Sequence, residues 1–130
     1  MKNVTPLRIS RRRSPSRNAP KPWQRISDRY PAVVGAYDSL REACNAAGPL
    51  EASTIALVKL GVSIGAGANR TVHMHAKKAL RAGAAPDALR QVALIALPTI
   101  GLPAALDALR WVDESIDETA VDEASRRAAR

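Results

Sequence analysis

The chain lacks a cysteine pair: Cys44 is its single cysteine, so no internal disulfide and no CxxC motif can form. That excludes a disulfide scaffold and makes a reducing, intracellular setting the expected one. Long apolar runs are missing as well. The nearest candidate, from Val92 to Leu106, is too short to span a bilayer and is broken by Pro98 and Pro103. No apolar N-terminal segment of the signal-peptide type is present, so a cytoplasmic location away from membranes is expected. Alternating strand patterns, internal repeats and sustained heptads are also absent, which leaves an all-α reading.

Acidic residues are missing from the first 25 positions, which carry Lys2, Arg8, Arg11, Arg12, Arg13, Arg17, Lys21 and Arg25. The remainder is balanced between acids and bases, so the whole net charge of +8 resides in this tail. Its Pro-, Ser- and Arg-rich composition offers too little apolar surface to offset the entropy of ordering. We therefore read residues 1–25 as a flexible basic extension and residues 26–130 as one helical domain. Nucleic acid is a partner only through that tail, where a basic run binds phosphate without sequence specificity. Its prolines argue against an organelle-targeting helix.

What remains reads as consecutive helices. "PAVVGAYDSLREACNAAG" opens with proline in its first turn and closes at Gly48. Val33, Val34, Tyr37, Leu40 and Cys44 recur at helical spacing, so Cys44 is expected to be a buried structural thiol. "EASTIALVKLGVSIGAG" forms a second helix. A third runs from about Asn69, a candidate N-cap, to Arg81, with Gly83 as its stop. The fourth starts at Pro86, and Pro98 with the Gly101–Pro103 segment separates it from the next. A fifth, "AALDALRWVDE", precedes a sixth from roughly Ser115, where Asp122–Arg126 and Glu123–Arg127 are spaced for pairing. The second and fourth helices are apolar on nearly every face, more than a domain of this size can cover. An obligate homo-oligomer is expected.

Both histidines lie in "TVHMHAKKAL", residues 71–80. At 100° per residue, His73 and His75 fall about 160° apart, at opposite edges of the stripe formed by Val72, Ala76, Ala79 and Leu80. One helix binds zinc through histidines at i and i+4, so a shared metal is not expected. His75 stands beside the small residues Thr71, Ala79 and Ala82, which leave room for a ligand. His73 lies toward the basic face of Arg70, Lys77 and Arg81 and reads first as a partly exposed surface residue. Lys59 falls one position off the Ala56–Leu60–Ser63 face and reads first as a lysine reaching solvent, with pairing to an anionic ligand as the second reading.

Three segments in order, "GPLEASTIALVKLGVSIGAG", "VHMHAKKALRAGAAPDALRQVALIAL" and "GLPAALDALRWVDE", resemble the carboxymuconolactone decarboxylase family, which includes the alkylhydroperoxidase D-like proteins. The resemblance covers Tyr30 to Glu114. It implies an all-α orthogonal bundle of about six helices assembled as a trimer or hexamer. The peroxidase branch of that family uses a CxxC pair, a glutamate and a histidine. By position these fall at Ala68, Thr71, Ala56 and His75, so only the histidine is present. Thiol peroxidase chemistry needs a thiolate and a resolving thiol and is excluded on these residues.

The decarboxylase branch is similar in lacking the pair, in its Met74–His75 dipeptide and in the Gly101–Ala104 turn. It implies a cofactor-free lyase of aromatic degradation that acts on a small carboxylated lactone or related enolisable acid. His75 would be the proton donor, suited by a reference pKa near 6.5. Thr71 would orient it or hydrogen-bond the substrate, and Arg70 and His73 would contact the substrate. Burial and a bound anion shift a histidine in opposite directions, so the sign for His75 stays open at this point. One departure is plain: Ile55 stands where the decarboxylase proper tends to carry an arginine. The alternative is a non-catalytic oligomeric scaffold whose basic arm contacts nucleic acid or a neighbour's acids Asp113, Glu114, Asp117 and Glu118.

Overall fold

The computed structural model describes residues 22–130. Most of the basic extension read at residues 1–25 therefore lies outside the described residues. All six elements are helices: α1 Pro22–Arg29, α2 Pro31–Ala46, α3 Ala52–Gly65, α4 Asn69–Arg81, α5 Pro86–Ile100 and α6 Leu102–Ala128. The all-α expectation holds, and so does the number of helices, but the partition differs at both ends. Residues 22–25, assigned to the tail by composition, open α1. The expected fifth and sixth helices are one, because Ser115 does not cap a new helix. It is fully buried in mid-α6, and its hydroxyl donates back to the Trp111 carbonyl at 2.8 Å.

The Gly101–Pro103 segment ends α5 as expected, but Pro98 does not interrupt it. Pro98 lies within the helix, which continues to Ile100. The cost is contained because only the last turn follows and because Leu94, whose carbonyl loses its partner, is exposed to water. Pro31 and Pro86 sit in the first turns of α2 and α5, where a missing N–H costs nothing.

The chain divides into two compact units, residues 1–47 and 48–130. In the first, α2 has no buried residue. Val33, Tyr37 and Leu40 are exposed, and Trp23 of α1 meets Tyr37 edge-on at 5.5 Å. Cys44 is likewise exposed, against the expectation of a buried thiol, since two short helices supply no interior to receive it.

In the second unit α3 packs on α4 and α5, and α6 packs on both from the other side. Leu60, Ile64, Val72, Leu89 and Val112 interlock with Ala56, Ala76, Ala79, Ala93 and Ala108. So many alanines let the helix backbones approach closely, and the few large side chains carry most of the buried apolar surface. The links into and out of α4 are tight. The Gly67 N–H donates to the Ile64 carbonyl at 3.0 Å and Ala68 N–H to Ser63 at 3.2 Å. Gly83 to Leu80 and Ala84 to Ala79, both 3.0 Å, repeat the arrangement at the far end. Gly67 (φ 65°) and Gly83 (φ 93°) adopt the left-handed conformation this motif requires. Gly83 is thus the stop expected, whereas the N-cap is Ala68 and Asn69 is the first helical residue. These two turns fix α4, with both histidines, between α3 and α6.

Candidate functional site

The opposite-edge placement of the histidines becomes a division between neighbours. His73 faces α6: its Nδ1 lies 2.8 Å from Ser115 Oγ and its Nε2 lies 3.2 Å from Glu114 Oε2. One turn on, Lys77 pairs with Glu118, and that hydrogen bond holds the Glu118 carboxyl below the usual carboxylate range. His73 is thus partly exposed, as expected, and it is held against α6.

His75 has no such partner. It is half-buried, and its Nδ1 is buried without a hydrogen bond. Leaving a buried polar atom unpaired costs about 1–3 kcal/mol. Such atoms are rare enough in folded proteins to need a reason. The open question of sign is settled by the surroundings. Burial, then the charge of Lys78, then that of Lys59, all lower the His75 pKa from 6.5. The unliganded site therefore holds a neutral imidazole in a positive field.

Lys59 is half-buried on α3, and its charge acts on His75. Its register off the Ala56–Leu60–Ser63 face was read properly, and all three of those residues are buried. What the helical wheel omits is that the α3–α4 seam, not solvent, lies next to that face. Lys78 was passed over because it follows the charged Lys77 in an exposed run; its i+3 spacing from His75 was the available signal. Thr71 is half-buried one turn before His75, and Arg70 is exposed with no ion pair among the described residues.

The acids of α6 are largely committed inside the chain. Asp113 accepts from Arg90 Nε at 2.8 Å, Glu114 from Arg110 at 3.0 Å, and Glu118 holds Lys77. Among the described residues no cluster of three or more His, Cys, Asp or Glu is arranged to hold a metal ion. No described helix is long and apolar enough to cross a membrane.

The sequence model of the carboxymuconolactone decarboxylase family matches residues 31–114. The chain belongs to this family. The match runs from the first residue of α2 into the middle of α6, close to the Tyr30–Glu114 span of the sequence resemblance, and carries the family's all-α, alkylhydroperoxidase D-like fold. It includes His75, Thr71, Lys59 and Lys78, whereas Ser115 and Glu118 lie beyond its end. No curated protein and no solved structure matches the chain.

Proposed function

We propose that the protein is a cofactor-free lyase that decarboxylates a small carboxylated lactone or a related enolisable acid, with His75 as proton donor. The observation that carries this reading is the half-buried His75, whose Nδ1 is buried without a hydrogen bond and on which the charges of Lys78 and Lys59 act. Two cations whose charge reaches a neutral imidazole favour an anion bound beside it. In the reaction the bond from carbon to a carboxylate breaks and carbon dioxide leaves. The electron pair passes into a dienolate-like anion, which takes a proton at carbon from His75. Lys59 and Lys78 stabilise the charge that develops, while Thr71 orients the ring or the substrate. Arg70, at the mouth of the same helix, contacts a substrate carboxylate. His73 has no such part in this scheme, because both of its nitrogens are engaged with α6.

The pH dependence has a defined sign. In the free enzyme burial and the lysines favour neutral His75, so the fraction able to donate a proton falls as pH rises through a value below 6.5. The descending limb of kcat/KM, which reports the free enzyme, is expected below pH 6.5. A bound carboxylate offsets the lysines, so the limb of kcat is expected at higher pH than that of kcat/KM. Lys78→Ala is expected to move the kcat/KM limb upward. A wild-type kcat/KM limb above 6.5, unchanged in that variant, removes His75 from the proton-donor role.

The same reading includes a homo-oligomer, trimer or hexamer. Val58 and Val62 of α3, Leu94 and Ile95 of α5, and Leu102 and Leu106 of α6 remain exposed in the single chain. Scattered apolar residues need no explanation, but this many on adjoining helices favours association. Light scattering of the full chain is expected to give three or six copies; a monomer at micromolar concentration contradicts it.

A further inference from the structure

We infer that α1 and the basic run before it form a docking surface for an anionic phospholipid bilayer, on which the chain rests without crossing it. On α1 the 100° step places Trp23 and Ile26 on one face. Tyr30 continues that face past the end of the helix, because its N–H donates to the Ile26 carbonyl at 2.7 Å. The three side chains are 50, 40 and 53% exposed, so packing on α2 leaves this face open. The acid of α1 is on the opposite side, where Gln24 Nε2 donates to Asp28 at 2.9 Å.

Tryptophan and tyrosine beside an aliphatic residue, with bases around them, are the composition of a helix that lies in the headgroup layer. The first 25 residues supply eight bases and no acid, and Arg29 adds another at the edge of the face. Stable attachment takes two such signals, and each base near an anionic surface strengthens binding about fivefold. Both α1 and the basic run precede the matched residues 31–114, and the inference stands apart from the proposed decarboxylation.

Charge favours a lipid surface over a second copy of the chain. Each copy brings eight bases up to position 25, so joining two α1 faces gathers charges of one sign. On a neighbour, Asp113, Glu114 and Glu118 are already held by Arg90, Arg110 and Lys77. Ring contacts argue against nucleic acid. Bases stack on open aromatic faces. Trp23 already meets Tyr37 edge-on at 5.5 Å, and the Arg29 guanidinium lies 5.8 Å from the centre of the Tyr30 ring. Ile26 has no plane to stack on, whereas a headgroup layer requires none.

The test is sedimentation of the full-length protein with vesicles of phosphatidylcholine, alone or mixed equally with phosphatidylserine, with tryptophan emission recorded. Binding is expected to the mixed vesicles only, weakened by added salt, with a blue shift in emission that Trp23→Phe removes. Ile26→Ser, which leaves the Trp23–Tyr37 contact in place, is expected to weaken binding about tenfold. Its unfolding temperature is expected to match the wild type, since no residue of the buried core comes from α1. No binding to the mixed vesicles, equal binding to the neutral ones, or full binding by Ile26→Ser overturns the inference. A dimer lost in Trp23→Ala, without vesicle binding, would assign the face to a second copy. Loss of single-stranded DNA binding in that variant, again without vesicle binding, would assign it to nucleic acid.

Discussion

His75→Ala is expected to lower kcat for lactone decarboxylation by about 10²–10⁴-fold, the usual contribution of a positioned general acid. The loss is expected in kcat rather than KM, because the proton is delivered in the transition state and substrate charge is met by Lys59 and Lys78. The fold is not expected to suffer. His75 makes no hydrogen bond at Nδ1, so truncation removes an unpaired buried atom instead of orphaning a partner. Thermal unfolding of the variant at or above the wild-type temperature, together with the loss of turnover, would separate chemistry from stability. Unaltered kcat in a folded His75→Ala protein would place the proton donor elsewhere.

The second large effect concerns the core. Leu60→Ala is expected to destabilise the protein by about 2–5 kcal/mol, measured by denaturant unfolding. Leu60 is fully buried on α3, in contact with the cluster that includes Val72, Leu89 and Val112. Six of the eleven buried apolar residues are alanines, so few neighbours can shift to fill the space vacated. Small domains are stable by only about 5–15 kcal/mol, and this one substitution removes a large part of that. Val121→Ala, at an exposed position far along α6, is the natural control. It is expected to change stability by less than about 0.5 kcal/mol. An equal loss in both variants would show that burial of Leu60 does not set the effect.

The alternative of a scaffold that offers α6 acids to a neighbour's basic arm loses most of its surface. Asp113, Glu114 and Glu118 already hold Arg90, Arg110 and Lys77. Of the four acids, Asp117 alone makes no ion pair among the described residues. The expected i,i+4 pairs Asp122–Arg126 and Glu123–Arg127 are not formed either; the ion pairs of α6 fall nearer its middle, where other helices supply partners.

Local chemistry was legible and long-range contact was not. Pro31 and Pro86 mark helix starts and Gly83 a helix stop because these are properties of one turn of backbone. The 100° step put His73 and His75 on opposite edges of α4, and the fold keeps them there. It could not say what lay opposite each edge. Ser115 marks the start of a separate helix in the sequence reading, whereas in the fold it lies buried in mid-α6 against His73, 42 residues away in sequence. Lys59 was placed correctly on its own helix, yet its neighbour His75 belongs to the next one. The helix α1 was hidden because Pro-, Arg- and Ser-rich composition describes the segment before it equally well.

The most direct test of the central claim is carbon dioxide release from carboxymuconolactone by the full-length protein in deuterium oxide, with no metal or cofactor added. The expected result is one carbon dioxide released and one solvent deuteron at carbon for each lactone consumed, with kcat/KM falling as pH rises through a value below 6.5. No release, or release with the same rate in His75→Ala, would contradict it.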